Sequence, residues 1–560
     1  MLLNDGQLKK LLLEHNVIGA TKLAGIENYA RNTNSALWDA LIESNTLSDE
    51  DLGTMISMFL KLPFVKLSKM QIPEDAFHIV PERIARRQKV VAYAKDSTGV
   101  KLAMADPHNT LVQEMIAKKT GLPVTAVFAT ERDIYGVIRI YRRDLQQALD
   151  RLIKESILIT GTEDSAPVGK IVDLIIDYAY QDKASDVHIE PQEKESLIRF
   201  RVDGILHDFA VVPKALHEQI ITRIKVLSRL RTDEHLAPQD GKMQLKLEEE
   251  NLDIRISLVP ILEGEKAVLR LLASKFRQFS LMDLGMSKKD LQKMINAYGR
   301  SFGMILSTGP TGSGKTTSIY SILKILNTRE KNITTIEDPV EYKIKGVNQI
   351  QTNAKTDLTF ASGLRSILRQ DPNIIFVGEI RDNETANIAV NAALTGHLVV
   401  STLHTNDAAT ALPRLTDMKV EPFLVASTVN IIVAQRLVRK ICESCRIAVK
   451  IPYKDLAGHL SAEIIHKHFG PVASEVQVYQ GKGCKACHMS GFQGRLGVFE
   501  VLEVSEKIRK LIVEKNDSDV ILRAAIEEGM TTMLDDGLDK VAHGITSISE
   551  VLRVTKTETT

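Results

Sequence analysis

The 560-residue chain has no run of 18 or more apolar residues, so nothing in it is expected to cross a bilayer as a helix. Its first residues, MLLNDGQLKK, lack the basic start and apolar stretch of a secretory signal, which predicts a cytoplasmic protein. Neither sign of charge prevails: 72 lysines and arginines face 71 acidic residues, a formal net charge of +1. That balance gives no hint of a polyanion partner, and a nucleic-acid motor with a basic channel is the least favoured reading. There is no low-complexity tract and no strong internal repeat. Cysteine is scarce, with four in the whole chain. At about 150 residues per domain, the length predicts three to four domains with several buried cores.

Residues Gly309, Pro310, Thr311, Gly312, Ser313, Gly314, Lys315, Thr316 and Thr317 fit the phosphate-binding pattern G-x-x-x-x-G-K-[ST]. They follow a strand-like apolar stretch, Met304 to Leu306, and precede a helix-like run, Ser318 to Leu326. The glycines let backbone N–H groups curl around phosphate oxygens, and the helix N-terminus points its dipole at them. Lys315 offers a point charge to the β- and γ-phosphates, and the Thr316 hydroxyl suits Mg²⁺. A nucleoside triphosphate is the predicted ligand.

Three later segments extend binding toward hydrolysis: Ile333 to Tyr342, Ile374 to Asp382 and Thr395 to Asn406. In the second, a buried-strand pattern from Ile374 to Val377 ends at Gly378-Glu379, which puts a carboxylate at the strand's C-terminal edge, where open α/β sheets bind ligands. Glu379 is the candidate for activating water. Glu337, Asp338 and Glu341 are further acidic candidates near Mg²⁺. His404 is a candidate γ-phosphate sensor, whereas His397 has the weaker case. An isolated glutamate or histidine at such a place is ordinarily structural, and the phosphate loop upstream changes that weighting.

All four cysteines fall in two C-x-x-C pairs, Cys442/Cys445 and Cys484/Cys487. Two thiolate pairs on separated turns can complete a tetrahedral Cys₄ site for Zn²⁺, and a closed shell of that kind is structural. Disulfides are the alternative, disfavoured in a reducing compartment. His488, beside Cys487, is not needed as a ligand.

In this order the four boxes resemble the secretion ATPase superfamily that powers type II secretion and type IV pilus assembly, where they are called the Walker A, Asp, Walker B and His boxes. The resemblance runs from about Val168 to Thr555. It includes Ala184 to Pro191 (ASDVHIEP), Arg199 to Gly204 (RFRVDG), Pro238 to Lys242 (PQDGK) and Glu528 to Thr555. It implies ATP as the nucleotide, Mg²⁺ at Thr316, a homohexamer, and arginines of the middle domain, among them Arg199, Arg201, Arg223 and Arg255, reaching a nucleotide across a subunit boundary. It implies partners too: a polytopic inner-membrane platform protein, and a cytoplasmic adaptor docking on the N-terminal domain. The tetracysteine insert marks assembly and secretion members rather than pilus-retraction ones. Pilus assembly is the first expectation and type II secretion the alternative.

Two departures from the family pattern limit the carry-over. Where relatives often read Glu-Arg-Arg-Leu-Pro-Gln-Asp-Gly, residues Glu234 to Gly241 read EHLAPQDG, without the two basic residues. Some N-terminal domains of the family bind cyclic di-GMP through paired motifs beginning Arg-Leu-Gly with a later Gly. Here the corresponding positions are Gln7-Leu8-Lys9 with Asn16 and Ala36-Leu37-Trp38 with Asn45, so dinucleotide binding is not expected.

The fold class implied is α/β. It comprises a mainly helical N-terminal docking domain (1–150), a linker (151–167) and a small PAS-like α/β domain (168–285). A RecA-like P-loop ATPase domain (286–560) follows, with the zinc insert (441–490) inside it. A periodic stretch from Tyr141 to Ile159 reads as a helix entering the linker.

Overall fold

The structure is a computed structural model that describes residues 3–15, 17–33, 36–43, 46–70, 72–138, 145–160, 167–247, 251–273, 280–470, 474–484 and 487–555. By proximity the chain divides into two units, residues 53–278 on the one hand and residues 279–560 with 2–52 on the other.

In the first unit, β1 (Val90–Asp96), β2 (Gly99–Met104) and β3 (Val124–Phe128) form a three-stranded sheet in that order. The β1–β2 pair is an antiparallel hairpin and β2–β3 is parallel, the helix Thr110–Thr120 supplying the crossover that parallel pairing needs. The second sheet is wholly antiparallel. Its strands are β4 (Asp186–Pro191), β5 (Glu195–Val202), β6 (Ile205–Pro213), β7 (Gln239–Lys246), β8 (Asn251–Ile261) and β9 (Gly264–Leu272), in the order β6-β5-β4-β9-β8-β7. Strand period decides what each face carries. Ile198 and Phe200 of β5 pack inward with Ile171 and Ile175 of helix Val168–Gln181 and Ile220 and Ile224 of helix Lys214–Leu227. Arg199 and Arg201 alternate with them, only partly buried.

The boundary expected at 150 lies inside the helix Leu145–Thr160, whose Leu145, Leu149 and Ile153 belong to that same core. Their four-residue apolar spacing gives the helix a stripe that has to be covered, and the helix runs on past 150 to Thr160. The boundary expected at 285 also moves: Leu281, Leu284 and Met286 pack in the core of the nucleotide domain.

In the second unit, β10 (Gly303–Thr308), β11 (Ile333–Glu337), β12 (Asn348–Gln351), β13 (Ile374–Val377), β14 (Leu398–Leu403), β15 (Val429–Ile441) and β18 (Phe492–Glu503) form one sheet, in the order β12-β11-β13-β14-β10-β15-β18. All pairs are parallel except β15–β18. Every residue of β10, β13 and β14 is buried, because helices cover both faces and one apolar cluster lies on each side. Beyond the sheet edge, β16 (Arg446–Pro452) and β17 (Glu475–Gly481) pair as a separate hairpin. The insert's Leu456, Ile465 and Val478 share a cluster with Leu538, Val541 and Val551 of the C-terminal helices.

The helices Asp5–Glu14, Ala20–Thr33 and Leu37–Glu43 bury Leu8, Leu12, Leu23, Leu37 and Leu41. Gln7 is spent on a capping box with Asn4, and Lys9 pairs with Glu27 at 2.8 Å. Asn16 and Asn45 lie outside the described residues.

Candidate active site

Strand β10 runs straight into the phosphate loop, and the loop feeds the helix Lys315–Leu326 at Gly314. Two glycines here have no substitute. Gly309 has φ 143°, and a Cβ on it would stand 2.6 Å from Gln435 O; Gly314 has φ 91° and lies against the Gln435 side chain. Lys315 Nζ donates to Gly309 O at 2.6 Å and Pro310 O at 3.0 Å, and burial, with Arg436 nearby, depresses its pKa. The lysine thus curls over the loop, pointing its charge into the cradle where phosphates bind.

Glu379 emerges one residue beyond Gly378 at the C-terminal end of β13, as its sequence pattern predicts, and is 8% exposed. Arg381 Nη2 approaches Oε1 at 2.5 Å, while His404 Nε2 stands 3.2 Å from Oε2. The Glu379 charge acts on Lys315, so the Walker A lysine and this carboxylate belong to one electrostatic site. His404 follows β14, the strand between β13 and β10, which is why three separate sequence boxes meet on one sheet edge. The loop after it is tied to the P-loop strand: Thr308 Oγ1 donates to Thr405 O at 2.9 Å and accepts from Thr405 N at 3.0 Å.

The other acidic candidates are placed differently. Glu337 is 3% exposed, and its carboxylate accepts from Thr335 Oγ1 at 2.6 Å, Gln349 Nε2 at 3.2 Å and Tyr320 OH. Burial pushes its pKa up despite those donors. Here the carboxylate is occupied by three protein groups rather than presented to a metal. Asp338 is exposed at the strand end and Glu341 half-buried. His397 Nδ1 faces Ala392 O at 2.9 Å, a bond that closes the preceding helix and leaves the ring outside the site.

Arg199, Arg201 and Arg223 belong to the 53–278 unit, whereas the P-loop belongs to the other. Arg199 pairs with Asp208 at 2.9 Å and Glu190 at 3.5 Å; Arg201 pairs with Asp186 at 3.7 Å and donates to Gly204 O at 3.1 Å. Arg223 Nε is buried beside Gly169 without a hydrogen bond among the described residues. Sequence reasoning missed Arg381, although it sits two residues after Glu379. It also missed Gln435 and Arg436, for which no motif pointed.

Cys442, Cys445, Cys484 and Cys487 converge at the end of the β15–β18 hairpin, their sulfurs all within 4.8 Å of one another. The separations of 3.8 Å (Cys442–Cys484), 3.9 Å (Cys445–Cys487) and 3.7 Å (Cys484–Cys487) match the ~3.8 Å edge of a tetrahedron with Zn–S bonds of ~2.3 Å. Backbone N–H groups of Cys484 and Gly491 point at Cys487 Sγ, at 3.1 and 3.3 Å, in the manner that supports a thiolate ligand. The donor set therefore fits zinc.

The family profile described as "Type II/IV secretion system protein" matches residues 161–553, and an MshEN domain profile matches residues 60–152. The type IV pilus assembly ATPase PilB of Myxococcus xanthus is 35% identical over 98% of this chain and 98% of its own length. The type II secretion system protein E of Pseudomonas aeruginosa is 44% identical over 73% of this chain and 80% of its own. Among solved structures, the ATPase DotB of Legionella pneumophila shares the fold, with a TM-score of 0.51 at 21% identity over 69% of this chain and 95% of that one. On this match and this site, the chain belongs to the type II/IV secretion system protein family and is an ATPase.

Proposed function

We propose that the protein is the homohexameric motor that polymerises pilin subunits in type IV pilus assembly, working at the cytoplasmic side of the inner membrane. The observation that carries this reading is the end-to-end similarity to a pilus assembly ATPase, 98% of each chain, N-terminal region included. Type II secretion is the second reading, favoured by the higher identity of 44% to a type II secretion protein over the shared part. Among the described residues no helix is long and apolar enough to cross a membrane. Membrane contact is accordingly assigned to a platform protein, and adaptor docking to the N-terminal domain.

In the reaction assigned to the site, Lys315 and the N–H groups of Gly309 to Thr317 hold the phosphates of ATP, and Thr316 takes Mg²⁺. Glu379 accepts the proton of the attacking water, with His404 reporting on the γ-phosphate across the 3.2 Å contact. Arg199, Arg201 or Arg223 supplies charge in trans. Glu337 sets the local polarity from behind the strand, and Zn²⁺ on the four cysteines builds the insert. Measuring ATP turnover with the cytoplasmic domain of a pilus platform protein, with that of a secretion platform protein, and with DNA tests the reading. Stimulation by the pilus domain alone supports it; stimulation by the secretion domain alone, or by DNA, overturns it.

A further inference from the structure

A cation outside the four boxes stands against the phosphate loop. Arg436 lies on β15, next to Gln435, whose Nε2 donates to Ser313 O at 2.8 Å. A Cβ built on Gly309 would sit 3.2 Å from Arg436 Nη1, so the guanidinium packs on the loop's first residue. Its donors are poorly used. Nη1 reaches Gln435 O at 3.4 Å and Nη2 reaches Asn406 Oδ1 at 3.3 Å, both near the limit for a hydrogen bond, and among the described residues no carboxylate pairs with it. Burial depresses its pKa, with Asp407 and Glu500 offsetting part of that, and its charge in turn depresses that of Lys315. Two partly desolvated cations beside one ring of backbone N–H groups repel each other until an anion joins them.

We propose that Arg436 is a phosphate contact of the bound nucleotide, a forked donor complementing the point charge of Lys315. This rests on ATP binding at the P-loop. The competing role is an anchor for the loop after His404 through Asn406, and the two roles separate experimentally.

Calorimetric titration of the full-length protein with Mg²⁺-ADP, for wild type, Arg436→Gln and Arg436→Lys at several salt concentrations, is the test, with thermal melts of the nucleotide-free proteins alongside. The expected result is an ADP affinity weakened about tenfold or more in Arg436→Gln and partly restored in Arg436→Lys. The salt dependence of binding is expected to be shallower in Arg436→Gln than in wild type, with no lowering of the nucleotide-free melting temperature. Unchanged ADP affinity in Arg436→Gln overturns the proposal. So does a loss of affinity with an unaltered salt slope and a lowered melting temperature, which is the signature of an anchor. Wild-type protein that fails to bind ADP at all would instead remove the P-loop reading on which the proposal stands.

Discussion

His404 Nε2 lies 3.2 Å from Glu379 Oε2, so the His box and the Walker B strand, already paired along β13 and β14, also meet through their two functional side chains. With Arg381 on the other oxygen, the carboxylate is held at both ends in a nearly buried setting. A group fixed in this way is aimed, and aim is what a general base needs.

Replacing Glu379 with glutamine keeps its shape and its place between His404 and Arg381 but removes the proton acceptor. Nucleotide affinity should stay near wild type while kcat falls by about 10²- to 10⁴-fold. Lys315→Ala should do the reverse in binding, weakening nucleotide affinity and abolishing turnover. Titration of nucleotide into each variant, with single-turnover hydrolysis, checks the pair. Wild-type turnover by Glu379→Gln would end the assignment.

One zinc per protomer is expected from elemental analysis of protein purified without chelators. Cys442→Ser should lower the melting temperature and loosen the insert while leaving nucleotide affinity intact, since a Cys₄ shell contributes folding free energy. Freshly prepared protein without zinc would refute the metal assignment.

Glu550 supplies a pH-dependent tie between the C-terminal helix Ile548–Thr555 and β15. Burial alone would raise its pKa, but Arg553, at 2.8 Å, and Arg439, through Nη2 at 2.8 Å and its backbone N–H at 2.9 Å, bring it down to about 2. A folded pKa below the ordinary value adds stability above pH ~4.5 that is lost as pH falls toward ~2, on the order of 2–3 kcal/mol in all. The hydrogen-exchange protection of residues 548–555, taken relative to the intrinsic exchange rate at each pH, should therefore fall between pH 4.5 and 2.5 in wild type. Glu550→Gln should exchange faster at neutral pH and show less of that acid dependence.

Shared-site catalysis is tested by mixing. Arg201→Ala and Glu379→Gln proteins should each be inactive and regain some activity in rings that contain both, because some interfaces then carry both wild-type residues. An arginine acting on the transition state is worth on the order of 10³-fold or more in rate. No recovery in demonstrably mixed rings would leave Arg201 as the partner of Asp186 and no more.

The P-loop, Glu379, His404 and the cysteine quartet were legible because each is a short-range pattern whose chemistry requires those residue types at those spacings. What stayed hidden depends on strand order. Gln435 and Arg436 lie far along the chain from Gly309, and only the parallel pairing of β15 with β10 brings them beside it. Glu337 has the sequence position of a metal-side carboxylate, yet Tyr320 on the P-loop helix and Gln349 on the edge strand claim its oxygens. Periodicity announces the helix across 150 without saying which core covers its stripe, and Leu145, Leu149 and Ile153 are covered by residues that come later in the chain.

One strand, β15, joins the two chemistries of the nucleotide domain. Gln435 touches Ser313 of the phosphate loop, and Cys442 follows the strand's last residue, roughly 23 Å farther along at ~3.3 Å per residue. Beyond Ala434 the strand stays paired with β18 as a two-stranded ribbon. The phosphate loop and the cysteine quartet thus share one continuous strand, and a substitution that displaces β15 at either end acts on an element common to both.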